Sequence, residues 1–201
     1  NCQTPAAAVK TAAPASPFMA AEIIRKRRSA VAFDPSGRIS FEHFLGILGK
    51  TMPSDHTVPF DTGLMEPQAH LVLFVHRVDG LPGGLYLLVR NEAHGQQLIE
   101  LTRRELRWER VDGTLPLYLL QTGDFRQVAA RISCDQDIAG TSAFSLGMLA
   151  RFRDPVQSHP CQYRQLFRET GMIGQVLYLE AEAHGLRGTG IGCFYDDGVH
   201  E

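Results

Sequence analysis

Two apolar runs, LVLFVHRV (71–78) and LYLLVR (85–90), flank the turn-rich DGLPGG (79–84). Apolar runs of that length around glycine and proline predict a β-hairpin, hence an antiparallel pair. LPLYLLQT (115–122) reads as a buried strand and SAFSLGMLARF (142–152) as another. Between them the spacing changes to that of helices. Phe41, Phe44, Leu45 and Leu48 recur at i, i+3, i+4 and i+7, with Ser40 placed to cap the start. A helix is predicted over 17–28, with Ser16 as N-cap and Ile23 and Ile24 facing inward. Two more are predicted over 92–109, with Leu98, Leu101 and Leu106 apolar, and over 124–138. The longest spans 161–184, with Leu166, Phe167, Ile173, Val176 and Leu177 apolar and with Gly171 and Gly174 interrupting it. Residues 51–67 carry Pro53, Pro59, Gly63 and Pro67 and read as a loop.

Helices and strands mix without a strict β-α-β alternation, and the first strand pair is a hairpin. This predicts an α+β fold, a mixed, mainly antiparallel sheet surrounded by helices. The length of 201 residues suits one domain, read as 20–201, preceded by an arm or linker over 1–19. Lys10 and the prolines of that arm interrupt any signal-peptide core. A net charge of -2 argues against a general nucleic-acid surface, and no apolar run approaches the length of a membrane span. The four cysteines, Cys2, Cys134, Cys161 and Cys193, form no C-x-x-C pair. Free thiols are expected from this, and with them a cytoplasmic location.

Several motifs are excluded by spacing. Gly49-Lys50-Thr51 lacks the upstream glycine of a P-loop, since Phe44 stands there, and it ends a helix where a P-loop begins one. The glycines at 188 and 190 require a third at 193 for a dinucleotide fingerprint, and that residue is Cys193. The eight histidines show no metal-ligand spacing, so no metal site is expected. No G-x-S-x-G marks a nucleophile. Asp196 and Asp197 read as turn or capping residues.

Two segments keep a chemical reading beside a plain one. RKRRS (25–29) is either a solvated helix face or an anion site, because arginine forks followed by a hydroxyl suit a phosphate. GLRGTGIGCFYDD (185–197) begins with a helix C-cap at Gly185. Its remaining glycines leave successive backbone N–H groups free to face a planar, acceptor-rich ligand.

Together these segments resemble the FMN-dependent nitroreductase superfamily. IIRKRRSAVAFD (23–34) is similar to its R-R-S-x-x-x-F opening, and GQVLYLEAEAHGLRGTGIGCFYDD (174–197) to its helix, glycine turn and G-F-x-D segment. VDGLPGGLYLL (78–88) and YRQLFRETGMIGQ (163–175) resemble the branch containing the azoline dehydrogenases of thiazole- and oxazole-peptide biosynthesis. The resemblance implies a nitroreductase-like fold that binds FMN. Arg27, Arg28 and Ser29 would hold the phosphate and ribityl chain, and Gly188, Thr189, Gly190, Ile191 and Gly192 would lie along the ring. It implies ping-pong hydride transfer from NAD(P)H to a small acceptor; for positive charge near the ring, Arg164 and Arg187 are candidates by sequence position alone. It also implies a homodimer with the cofactor at the boundary, where Gly171 and Gly174 permit close helix contact, and a terminal strand and arm beyond Glu201. An alternative is a flavin-binding unit without turnover, or a partner in peptide maturation. Two departures stand out. Asp61 in PFDTG (59–63) replaces a serine, and QSHPCQY (157–163) has no lysine where the azoline dehydrogenases place a lysine–tyrosine acid/base pair.

Overall fold

The computed structural model describes residues 16–54, 58–62, 66–111 and 114–200. Most of the 1–19 arm, with Cys2 and Lys10, lies outside them, as do Gly63 and Glu201. Among the described residues five strands form one sheet: β1 (Ala69–Val75), β2 (Gly84–Leu88), β3 (Glu109–Arg110), β4 (Leu117–Thr122) and β5 (Phe144–Ala150). Their order is β3-β4-β2-β1-β5 and every strand pair is antiparallel. The β1–β2 hairpin has Leu71 opposite Leu88 and Val75 opposite Gly84. A parallel bridge joins Ile39 to Val78 outside the strands.

Side chains alternate across the sheet and build two apolar layers. On one face Leu71, Leu73, Val75, Tyr86, Leu88, Leu117 and Leu119 pack with Phe44, Ile47 and Leu48 of α2 (Phe41–Gly49) and Ile173 of α7 (Gln162–Ala183). On the other, Leu87, Val89 and Leu120 meet Leu98 of α3 (Gly95–Leu101). α2 begins as its sequence demands, with the Ser40 hydroxyl accepting from His43 N–H at 3.2 Å. The remaining helices are α1 (Ala20–Lys26), α4 (Arg126–Ile132), α5 (Asp137–Thr141), α6 (Arg153–Ser158) and α8 (Asp196–His200).

Several expectations are corrected. α1 is capped by Met19 without a side-chain bond. Ser16 instead donates to the Ala183 carbonyl at 3.0 Å, tying the chain before α1 to the end of α7. Ile23 is buried as expected, but Ile24 is 60% exposed. The helix expected over 92–109 stops at Leu101. Trp108 takes a φ of 52° with its indole N–H on the Thr102 hydroxyl, and the chain then turns into β3. The helix expected over 124–138 divides into α4 and α5, because Cys134 and Asp135 occupy left-handed backbone at φ 56° and 57°. Gly171 and Gly174 do not interrupt α7, and Phe167 is 63% exposed.

The middle of α7 is fixed to the sheet by a buried ion pair. Arg90, just after β2, places its guanidinium 2.5 Å from the Glu169 carboxylate. The same carboxylate accepts from the Gln68 and Ala69 N–H groups at 3.0 and 3.2 Å, while Arg90 donates to the Thr51 and Ala69 carbonyls. Paired in this way, two charges are tolerated inside a core, although Arg90 Nη2 is buried without a hydrogen-bond partner.

Candidate functional site

The C-terminal end of α7 gathers the two segments singled out in the sequence. α7 ends on Gly185, whose φ of 70° is the left-handed position that glycine fills without strain. Leu186 N–H bonds the Ala181 carbonyl and Gly185 N–H the Glu182 carbonyl, a Schellman arrangement. The chain then runs back along α7. Gly190 N–H donates to the Tyr178 hydroxyl at 2.5 Å, and the Gly188 carbonyl accepts from Ala30 N–H at 3.0 Å. That second bond joins the glycine segment to the chain following α1.

Tyr178 is the centre of the arrangement. The Ser29 hydroxyl lies 3.0 Å from its oxygen, and the Arg27 guanidinium sits 4.9 Å from the centre of its ring. Partial burial pushes the Tyr178 phenol up, but the bonds from Ser29, Gly190 and Thr189, together with Arg27, outweigh it and hold the group below its ordinary value. So many donors aimed at one oxygen make a place suited to negative charge. Added Cβ atoms at Gly188 and Gly190 would meet Tyr178 only at 3.8 and 3.5 Å, ordinary contact distances. Packing does not demand glycine there; its absence of side chain keeps the face open.

Of the expected site residues, Arg27, Ser29, Gly188, Thr189 and Gly190 come together around Tyr178. Arg28 turns back, donating to the carbonyls of Arg25 and Arg27 at 2.9 and 2.7 Å, and so closes the end of α1. Ile191 and Gly192 lead onward to Cys193. Arg187 pairs with Glu182 at 3.2 Å, and Arg164 is exposed at the far end of α7. Sequence reasoning missed Tyr178 itself.

A solved structure of a putative nitroreductase from Anabaena variabilis ATCC 29413 matches 88% of this chain with a TM-score of 0.66 and 20% identity. The fold is nitroreductase-like. The chain spans 33% of that protein's length. No protein-family model matches the sequence, and neither does any curated protein.

Within this nitroreductase-like fold the cysteine reading needs correction. Cys134 and Cys193 form a disulfide, with Cα atoms 5.9 Å apart, and Cys161 is free and exposed. The two halves lie 59 residues apart, so no local spacing advertises the pair. The left-handed turn at Cys134–Asp135 brings the first half to the glycine segment. The cytoplasmic inference drawn from free thiols loses this support. What the structure does show is that no helix among the described residues is long and apolar enough to cross a membrane.

A second polar cluster lies near the other end of α7. His70, on β1, accepts from Arg90 N–H through Nδ1, and its Nε2 lies 3.1 Å from Nδ1 of His94. Burial, then the nearby His94 and Arg90, pushes His70 down to about 4. His94 borders a recess of about 510 Å³ that Glu66, Gln68, Arg151, Asp154 and Gln162 also line. The recess reaches Ser158 and Gln162 of the 157–163 segment, which carries no lysine. Among the described residues, no three His, Cys, Asp or Glu side chains cluster as metal ligands would.

Proposed function

We propose that this chain binds FMN at the Tyr178 cradle and serves as the flavin-holding unit of a nitroreductase-type oxidoreductase. What carries the assignment is the convergence on Tyr178 of Ser29, Thr189, Gly190 and Arg27, from two segments far apart in sequence. A hydroxyl, a backbone N–H and a guanidinium are the donors a phosphate monoester takes. FMN suits the site better than FAD, because no adenosine-binding fingerprint is present. Bound FMN would supply two-electron chemistry, with NAD(P)H and a small electron acceptor alternating in a ping-pong exchange. Arg27 and Ser29 would hold the phosphate end, and Arg28 would join them only by releasing the carbonyls of Arg25 and Arg27. The rest of the 188–192 backbone would lie beside the ring, the Gly190 N–H being held by Tyr178. Azoline oxidation is left out of the assignment, since 157–163 lacks the lysine of the acid/base pair.

The cradle is an open surface, which favours a second unit closing over it. Tyr163, Phe167, Gly171 and Gly174 follow one another along one side of α7. Tyr163 packs against Phe167 and Phe152 with ring centres 5.0 and 6.0 Å apart, and all three rings are exposed. Cβ atoms added at Gly171 and Gly174 would meet nothing within 4 Å. This stripe is proposed as the contact of a homodimer, burying about 2,000 Å² or more if the association is obligate. Sedimentation giving a flavin-loaded particle near 22.3 kDa contradicts it.

The test of function is the visible spectrum of protein mixed with excess FMN and then desalted. Retained flavin absorbance that bleaches anaerobically with NADH or NADPH supports the oxidoreductase. Retained flavin that neither nucleotide bleaches favours the alternative, a flavin-binding unit without turnover or a peptide-maturation partner. Loss of all flavin on desalting and in equilibrium titration removes the proposal.

A further inference from the structure

We propose that Cys134–Cys193 is a thiol–disulfide exchange site whose oxidation state sets the order of the glycine segment and, through it, the affinity of the cradle. The consequence for affinity rests on the FMN assignment above; the consequence for order does not.

Beyond Gly190 the segment has few other holds. Tyr195 N–H bonds the Ile132 carbonyl at 2.8 Å, and the Tyr195 hydroxyl reaches the Asp135 carboxylate at 3.2 Å. Both partners belong to the α4–α5 joint, which is where Cys134 sits. Gly192, Cys193, Phe194 and Tyr195 are all exposed, so apolar burial contributes little. The disulfide is therefore the strongest link between 188–195 and the body of the protein. On the other side of the link, Cys134 and Asp135 are two consecutive non-glycine residues in left-handed backbone. Such conformations persist where the surroundings enforce them. Cutting the bond removes that constraint and frees the segment together.

The site is open to a reductant. Cys193 is exposed and Cys134 half-buried, so attack comes at Cys193. A thiolate of a dithiol reductant bonds to Cys193 Sγ, the Sγ–Sγ bond breaks, and Cys134 leaves as a thiolate that takes up a proton. The second thiol of the reductant then displaces Cys193 and closes the reductant's own disulfide. Two electrons pass from the dithiol to the protein pair, giving two protein thiols. The partner class is thus a small or protein dithiol.

The test compares air-oxidised protein, protein reduced with dithiothreitol, and the Cys134→Ser/Cys193→Ser double variant. Hydrogen exchange over 188–195 is followed without flavin, and FMN affinity is read from flavin fluorescence. The oxidised form is expected to show two fewer alkylatable thiols than the reduced form. Reduced and double-variant proteins are expected to exchange 188–195 at least about tenfold faster, with α2 and β1 unchanged, and to bind FMN more weakly. Equal exchange in the three forms overturns the proposal, as does an oxidised protein with both thiols free. Faster exchange with FMN binding in none of the forms upholds the switch and rejects the FMN assignment. Faster exchange with equal FMN affinity overturns the coupling to the cradle.

Discussion

The middle of α7 and its C-terminal end both collect charged and hydroxyl groups, yet they answer different needs. In the middle, Arg90 and Glu169 are buried and turned toward each other and toward nearby backbone groups. Charges so enclosed hold α7 to the sheet, and the one guanidinium nitrogen without a partner, Arg90 Nη2, is buried. At the end, Arg27, Ser29, Thr189 and Gly190 surround a partly exposed phenol on an open surface. Their donors are within reach of something from solution. Exposure separates a ligand site from an internal brace more reliably than charge does.

The largest expected effect lies at the brace. Glu169→Ala leaves Arg90 buried and unpaired, and a loss of about 3–5 kcal/mol in unfolding free energy is expected by urea denaturation. An Arg90→Met/Glu169→Leu double variant should recover much of it. A cost below about 1 kcal/mol for the single change would show that the pair is not the brace described.

The same region should carry the pH dependence. The folded pKa of His70, about 4, lies below the ordinary 6.5, so the unfolded chain binds the proton more readily. Stability is therefore full above about 6.5 and falls as pH drops toward 4, by about 3 kcal/mol over that window. His76 and His184, also lowered chiefly by burial, add slope of the same sign. His70→Gln should flatten the profile between those limits; an unchanged slope contradicts the assignment.

At the cradle the effects reverse, small on stability and large on binding. Arg27→Glu should weaken FMN binding by about 1.5–3 kcal/mol, read by flavin fluorescence, while the thermal midpoint moves little. Tyr178→Phe removes one hydroxyl and keeps the ring under Arg27. A loss of about 0.5–1.5 kcal/mol in FMN affinity is expected, the range of one neutral hydrogen bond. If Tyr178→Phe instead unfolds the protein, the cradle is part of the core and the contrast collapses.

How much of this was legible in the sequence follows from how local each cause is. The β1–β2 hairpin, α2 with its Ser40 cap and the Gly185 stop are written in neighbouring residues, and they stand as expected. Arg27, Ser29 and the glycines were recognisable by motif, and the structure brings them together. What the sequence hid depends on distant partners. Ile24 fits a helical stripe but has no surface to cover it. The break between α4 and α5 needs a left-handed pair at Cys134–Asp135, residues that carry no strong turn signature. The Cys134–Cys193 bond and the Arg90–Glu169 pair join residues 59 and 79 apart. Tyr178 carries no local signature, and its place is set by two other segments folding onto its hydroxyl.

The most direct test of the cradle is a paired titration with FMN and riboflavin, which share a ring and differ in the phosphate. The phosphate assignment predicts that FMN binds at least about tenfold more tightly than riboflavin, a difference near 1.4 kcal/mol, and that Arg27→Glu erases the preference. Equal affinity for the two ligands, or a preference that survives in Arg27→Glu, would contradict the account.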